Sequence, residues 1–498
     1  MVRSFVNFAL LLPVLACLLA GGCQWARLAK APVEAGFDRP AGAGEVSSNS
    51  REEARLVAPQ GALASPAPDA SGRAASRPVG RPYTLDECRA ITVNSNPDIQ
   101  AELWEESARG SLASAARARM LPHPSLIGEF SNRNNHRFPY DSTDDLHWYD
   151  VLWRSTWRYF LEIKWSPTDA LTSYYLSQNQ CNDSVKARYH RVRLIQKLLA
   201  SVDAAYFRLL GLQQCLPLAE RLSRIRTDVA REMYELRQGR LADLDEYHRT
   251  EERASAARFR LSKMRVELER QKIILASLMG LPPKSCPEGQ FFVTGALSVP
   301  HYPQNPCDLE VQALKSRPEA CIEGLNQLTS LNEVRRTQLK YFPKATGFLR
   351  YGQDNAYKRQ DWNINDAGLY VSLDLLDWFT NFKETSAAKA NNLKTQQRMA
   401  AVALAVASEV RVSALRCLES TEELLSLEGS IGRAQKHLNA AKGRVKAGML
   451  EKVAVEDAEG NLLQEQIERV RALGEANARV AELQCAMGTN YGDGVSCP

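Results

Sequence analysis

Apolar positions along the chain recur in two periods. Over most of its length the spacing is three and four residues. Val192, Ile195, Leu199, Val202, Tyr206 and Leu209 step by 3, 4, 3, 4 and 3, and Leu473, Ala476, Val480, Leu483 and Met487 repeat the pattern. This narrow stripe predicts long helices packed in coiled-coil fashion. From about 170 to 237 the only strong breaker is Pro217, so an unbroken helix there would be roughly 100 Å long. Elsewhere the period falls to two. In "RYFLEIKWSP" (158–167), Tyr159, Leu161, Ile163 and Trp165 alternate with Arg158, Glu162 and Lys164, interrupted only by Phe160. Alternation predicts strands with one oily and one polar face near 125–133, 156–165, 345–352 and 368–375.

The same parts occur twice. Pro97 and Pro318 are 318 − 97 = 221 apart, as are Pro122 and Pro343. "YELRQGRLADLDEYHRTEE" echoes "GRVKAGMLEKVAVEDAEG", which matches Gly239 to Gly448 at 448 − 239 = 209, and each half closes on "LMGL" or "AMGT". Each half reads as helix, two strands, long helix, turn and long helix, which indicates duplication. The expected division is a first repeat at 83–295, a second at 296–492 and a short tail at 493–498.

What precedes the repeats has no such periodicity. Arg3 followed by a short apolar run and "AGGC" reads as an export signal over 1–23, too short to span a bilayer comfortably. The small residues before Cys23 resemble a bacterial lipobox, which makes Cys23 the expected lipid carrier; the alternative is a plain secretory signal. Residues 24–82, rich in Ala, Pro and Ser, are expected to form a flexible tether.

The formal net charge of +5 argues against nucleic acid as the main partner. Setting aside Cys17 and Cys23, 11 − 2 = 9 cysteines remain, an odd number that cannot all pair within one chain. Cys181, Cys215, Cys321, Cys417 and Cys485 fall in helical patterns, where the expected role is a small buried hydrophobe. The sequence has no phosphate loop, no G-x-S-x-G and no H-E-x-x-H, so no enzyme, cofactor or metal site is expected. His136, Asp144, Asp145 and His147 in the loop at 134–155 match no known metal spacing.

Two-faced strands in an exported chain bury their oily side in a core or in lipid. At about 9 to 10 residues each they are long enough to cross an outer membrane when tilted. Four strands cannot close a barrel, so copies of the chain must combine. "YTLDECRAITVNSNPDIQ", the paired "LP" and "FP" helix ends, the duplicated helix–hairpin–helix plan and the two Gly-centred turns together resemble the TolC-like outer-membrane efflux protein family over about 83–492.

The resemblance implies a mainly α fold with a small β part. Four strands per chain would contribute to a trimeric 12-stranded barrel in outer-membrane lipid, above a periplasmic helical tunnel. It implies a homotrimer that carries substrates delivered by an inner-membrane pump and a periplasmic adaptor, in efflux or type I secretion. It puts Gly239, Gly448, Arg237, Arg444 and Asp245 at an adaptor-docking tip and Asp457 at a lumen constriction. Leu450 and Ala454 depart from the family pattern at positions tied to the closed gate. Within the barrel, Glu162, Lys164, Ser372 and Asp374 are expected to face the lumen, and Leu161, Ile163, Leu369, Val371 and Leu373 the lipid. The competing reading is an exported structural or adhesive helical protein without a pore, which would have no need of matched two-faced hairpins.

Overall fold

In the computed structural model, the described residues are 82–134, 153–238, 244–281, 291–300, 305–355, 363–373, 375–447 and 452–491. The chain divides into two units, Met1–Ser76 and Arg77–Pro498, and all described residues lie in the second. The export signal, Cys23, Gly239, Gly448, Leu450, Asp374 and the four loop residues considered for metal lie outside the described residues.

Among the described residues twelve elements follow one another as two matched sets. The first set is α1 (Leu85–Ser95), α2 (Pro97–Ala118), β1 (His123–Asn132), β2 (Ser155–Trp165), α3 (Pro167–Gln238) and α4 (Leu244–Leu278). The second is α5 (Pro306–Ser316), α6 (Pro318–Leu339), β3 (Lys344–Asp354), β4 (Asn363–Ser372), α7 (Leu375–Lys446) and α8 (Lys452–Met487). The helix lengths repeat almost residue for residue. They are 11 and 11 for α1 and α5, 22 and 22 for α2 and α6, 72 and 72 for α3 and α7, and 35 and 36 for α4 and α8. At 1.5 Å per residue, α3 and α7 are each roughly 110 Å long. The offset is 221 before the strands and 375 − 167 = 208 after them. The helix ends thus repeat at 208, against the 209 between Gly239 and Gly448, which lie outside the described residues.

Local chemistry explains the breaks. Thr84 caps α1 through a capping box with Glu87. Proline at the first position of α2 and of α6 forces the preceding Asn96 and Arg317 into extended backbone, which ends α1 and α5. Beyond α4 and α8, Gly280 and Gly488 take φ of 71° and 74°. The Leu281 N–H donates to the Ala276 carbonyl at 2.9 Å and the Thr489 N–H to that of Gln484 at 3.1 Å, which are helix-closing bonds that a left-handed residue permits. A Cβ on Gly280 would stand 2.7 Å from the Ser95 carbonyl oxygen, and one on Gly488 would stand 3.2 Å from that of Ser316. Each return helix thus ends against the α1–α2 or α5–α6 break of its own repeat.

The heptad stripe packs as its spacing predicts: Val192, Ile195, Leu199, Val202, Tyr206 and Leu209 are all buried. Val202, Tyr206 and Leu209 share one cluster with Cys88, Leu275 and Met279. The equivalents of all six residues, Leu309, Val410, Ala414 (for Tyr206), Cys417, Leu483 and Met487, form the matching cluster of the second repeat. Buried Cys215 and Cys417 behave as small hydrophobes, and burial pushes their thiols up to about 12 and about 11. Cys321 is buried as expected, beside Tyr189, Ile322 and Leu325, and is in addition disulfide-bonded.

The four strands form one antiparallel sheet in the order β1-β2-β3-β4. The last strand runs Asn363–Ser372, earlier than the 368–375 alternation suggested, and Leu373 lies beyond its end. The expectation that Leu373 belongs to a strand face is therefore corrected. The next helix, α7, begins only two residues later, at Leu375, which leaves no room to extend the strand.

An ion pair that holds α1 on α3 recurs with its signs exchanged. Arg89 reaches Asp203 at 2.7 Å, and the equivalent residues (89 + 221 = 310 and 203 + 208 = 411) are Glu310 and Arg411, 2.9 Å apart. The Asp203 side chain is buried, so its partner cannot be lost cheaply. Arg89→Glu should cost about 3 kcal/mol. Adding Asp203→Arg, which copies the polarity of the second repeat, should restore most of it; thermal unfolding of the helical signal reads both. A double variant no better than the single one would show that the contact does not set stability.

A second consequence is acid sensitivity. The Arg208 hydrogen bond, with the charges of Arg208 and Arg479, holds the Glu475 carboxyl below its ordinary value against the opposing effect of burial. A depressed carboxyl adds stability above its unfolded value, near about 4.3, and loses it as the pH falls through the lower folded value. Unfolding followed below about pH 4 should show the loss, and Glu475→Gln should make stability less steep in that range.

Candidate functional site: a two-faced sheet above a helical tip

Pairing register decides which side chains share a face, because residues directly opposite across an antiparallel sheet point the same way. One row runs Ser125, Glu162, Arg350, Asp366 across all four strands. The neighbouring rows on this side hold Ile127, Phe160 and Gly352 in one direction and His123, Lys164 and Phe348 in the other, and the row beyond Phe160 holds Glu129, Arg158 and Asp354. Ser372 pairs with Lys344 on the same side. Rows on the other side run Pro124, Ile163, Leu349, Ala367 and Leu126, Leu161, Tyr351, Asn365. Leu369 and Val371 belong to that second side, through Gly347 and Ala345. The sheet thus groups Glu162, Lys164 and Ser372 on one face and Leu161, Ile163, Leu369 and Val371 on the other.

The two faces differ in chemistry. On the apolar side Leu126 is 81% exposed, Phe130 73% and Leu369 71%, more than isolated surface hydrophobes would show. On the polar side charges are matched. Glu162 is 1% exposed and receives Lys164 Nζ and Arg350 Nε, each at 2.6 Å. Arg350 also approaches Asp366 at 3.8 Å and lies over the rings of Phe348 and Phe160, with centroid distances of 4.8 and 5.6 Å. Arg158 lies 3.2 Å from Asp354 and 3.6 Å from Glu129. The central role of Arg350 went unread in the sequence, although it sits at a polar parity position on β3. Strands β1 and β4 are the outer strands of the sheet, so each has one edge without a strand beside it among the described residues.

At the opposite end of the long helices, Arg237 stands in the last turn of α3 and places its guanidinium 5.0 Å from the ring centroid of Tyr247 in α4, which ties the two helices beside their turn. Asp245 stands in the first turn of α4 and Arg444 in the last turn of α7. Asp457, two turns into α8, is bracketed by cations. It accepts from Arg226 of α3 and, at 3.1 Å, from Arg253 of α4. Buried Arg226 also donates to Asn461 at 2.7 Å and packs over Gly460, where a Cβ would come within 3.0 Å of the guanidinium. Arg226 and Arg253 could not be assigned from spacing alone, because their partner lies more than two hundred residues away.

A third charged cluster lies at mid-height. Arg317, 1% exposed, reaches Glu409 at 2.7 Å, while Arg193 reaches Glu319 at 2.5 Å and donates to the Cys485 carbonyl at 2.9 Å. Burial pushes the Glu409 carboxyl up, but the Arg317 hydrogen bond and the charges of Arg317, Arg193 and Lys197 outweigh it and leave the carboxyl below its ordinary value. Among the described residues no group of three or more His, Cys, Asp or Glu is arranged to hold a metal ion, and no helix is long and apolar enough to cross a membrane.

Residues 330–489 match the outer membrane efflux protein family model. No curated protein sequence matches the chain. Several solved structures share the fold. The Campylobacter jejuni CmeC outer membrane channel superposes with a TM-score of 0.69 at 11% identity, over 83% of this chain and 87% of that one. The outer membrane protein VceC of Vibrio cholerae gives 0.66 at 15% identity, over 81% and 96%. The open state of the Neisseria gonorrhoeae MtrE outer membrane channel gives 0.65 at 15% identity, over 81% and 88%. The family match thus covers the second repeat from Ser330 to Thr489, and the fold of the whole described chain is that of these outer-membrane channels.

Proposed function

We propose that the protein is the outer-membrane exit duct of a tripartite efflux or type I secretion machine. Substrates would be handed to it by an inner-membrane pump through a periplasmic adaptor. One observation carries this reading: a four-stranded sheet with an exposed apolar face and two open edges surmounts helices of 72 residues. An apolar face of that kind fits lipid, and open edges are intolerable there unless neighbouring copies pair with them. Three copies would supply twelve strands, enough for a lumen. The roughly 110 Å helices would then carry that lumen across the periplasm.

In this reading Glu162, Lys164 and Ser372 line the barrel, with Arg350 as their central cation. Over the whole polar face Lys164, Arg350, Arg158 and Lys344 are matched by Glu162, Asp366, Glu129 and Asp354, so the barrel wall sorts ions weakly and substrate choice falls to the pump. Asp457 would ring the tip three times, each carboxylate already held by two guanidiniums. Such a ring attracts cations far less than bare carboxylates would, and the main task of Asp457 is to clamp α8 to α3 and α4. Arg237, Asp245 and Arg444, with the turns that hold Gly239 and Gly448, form the surface offered to the adaptor, and Cys23 tethers the N-terminus by lipid.

Conductance across a planar bilayer tests the duct directly: the purified full chain should open discrete ion-conducting events, and a protein that inserts without conducting would refute the reading. The sheet assignment makes its own forecast. Cysteine placed at Ser125 or Ser372 should react with a water-soluble thiol reagent in outer-membrane vesicles, and cysteine at Leu126 or Leu369 should be spared. Equal reactivity of both sets would exclude lipid on the apolar face. For the tip, Asp457→Asn should cost about 1–3 kcal/mol because buried Arg226 loses its carboxylate. Arg253→Ala, on the exposed side, should cost less than about 1 kcal/mol. Thermal unfolding that ranks the two the other way would remove the clamp.

A further inference from the structure

Cys321, buried beside Tyr189 of α3, is disulfide-bonded, and the possible partners follow by elimination. Among the described residues Cys88, Cys181, Cys215, Cys307, Cys417 and Cys485 are free. With Cys321 these account for 6 + 1 = 7 of the 11 cysteines, so the bond runs to Cys17, Cys23, Cys286 or Cys497. Cys17 and Cys23 belong to the export signal and the lipid site, a step that rests on the reading proposed above. Cys286 and Cys497 lie outside the described residues, but their chain neighbours limit where each can reach.

The course of α8 favours Cys497. This helix climbs α3 toward the sheet: its Asp457, Glu475 and Cys485 meet Arg226, Arg208 and Arg193 in turn. Beyond α8 the chain stays on α3. The Gln196 amide donates to the Gly488 carbonyl at 3.0 Å, and the Asn490 amide donates to the Gln196 carbonyl at 2.7 Å. Tyr491 packs against the cluster of Ile99, Ile195 and Leu199. Just above, Glu319 of α6 meets Arg193 at 2.5 Å and Cys321 meets Tyr189. Gln196 and Tyr189 are 196 − 189 = 7 residues apart, a rise of about 10 Å. Cys497 follows Tyr491 by 497 − 491 = 6 residues, which span up to about 20 Å when extended. Cys286 is placed worse. It lies 286 − 281 = 5 residues from Leu281 and 291 − 286 = 5 from Phe291, and both of these pack in the cluster of Val202, Tyr206 and Leu210. Val202 is 202 − 189 = 13 residues below Tyr189, or about 20 Å, and five residues span at most about 17 Å. Even fully drawn out on both sides, that loop would rely on the Cα separation of the disulfide itself, about 5–6 Å, to close the gap.

We propose that Cys321 is bonded to Cys497, so that a disulfide staples the segment beyond α8 to the start of α6. The bond joins residues 497 − 321 = 176 apart and closes a loop that holds β3, β4, α7 and α8, most of the second repeat. The first repeat has neither half of the pair. The equivalents are Gln100 (321 − 221 = 100) and Gly289 (497 − 208 = 289). Forming the bond takes two thiols to one disulfide. Two electrons and two protons pass to a donor disulfide, which leaves as a dithiol. A thiol–disulfide oxidant of an oxidising compartment supplies that donor, in keeping with an exported chain.

The test is peptide mass mapping of the full chain, purified from the outer membrane with free thiols blocked and digested without reductant. A peptide holding Cys321 should be joined to one holding Cys497. Cys497→Ser should release Cys321 to the blocking reagent, and Cys286→Ser should leave the joined peptide in place. A link from Cys321 to Cys286, or a Cys321 already blocked in the wild type, would overturn the pairing and leave the exit-duct reading standing. A link to Cys17 or Cys23 would overturn the pairing together with the export and lipid assignments. The wild-type map decides even if a variant fails to assemble. Thermal unfolding then checks the staple. Reductant should lower the unfolding temperature of the wild type and leave that of Cys497→Ser unchanged; an equal change in both would overturn it.

Discussion

The constraint on which the rest depends is the backbone hydrogen bonding of a four-stranded sheet. Its register leaves an oily face on one side, and its order leaves β1 and β4 at the edges. In water such a sheet would hide the oily face under a helix. Here the long helices continue beyond the sheet and leave it exposed. In lipid the oily face is satisfied, but the edge N–H and C=O groups are not, and each unpaired group costs several kcal/mol. The sheet can exist there only as part of a closed barrel made with other copies. On the proposed reading the single chain is an incomplete object, and its exposed apolar residues are the surfaces that completion covers.

Duplication supplies the means of completion. Two repeats with helices of nearly equal length place equivalent side chains at equivalent positions, so a contact made in one repeat has a counterpart in the other. The repeats have diverged in ways that keep the geometry. Arg89–Asp203 and Glu310–Arg411 preserve an ion pair while exchanging its signs, which requires that both partners changed. Position 96 is a capping Asn in the first repeat, and its equivalent is the buried Arg317 in the second, which draws Glu409 into a charged cluster the first repeat lacks. Gly280 and Gly488 stayed glycine because both helix ends need positive φ beside another backbone.

Much of this was legible in the sequence, because it depends on period. The heptad stripe through Val192 and Leu209 and the alternation from Tyr159 to Trp165 are set by local geometry, and the structure follows both. Parity alone sorted Glu162 and Lys164 from Leu161 and Ile163. Contacts made across sequence distance were not legible. Asp457 reads as a free helix acid until α3 brings Arg226 to it, and the disulfide of buried Cys321 has no local signature. The end of β4 was misplaced because Leu373 continues the alternation while the chain has already turned toward α7.

The most direct test of the account is the native mass of the full chain extracted from the outer membrane in mild detergent. Closure of the sheet edges between copies predicts a single species of three chains that retains its β signal and resists dissociation until the strands unfold. A stable monomer with the same β signal would mean that a four-stranded sheet closes its edges alone, and would contradict the account at its base.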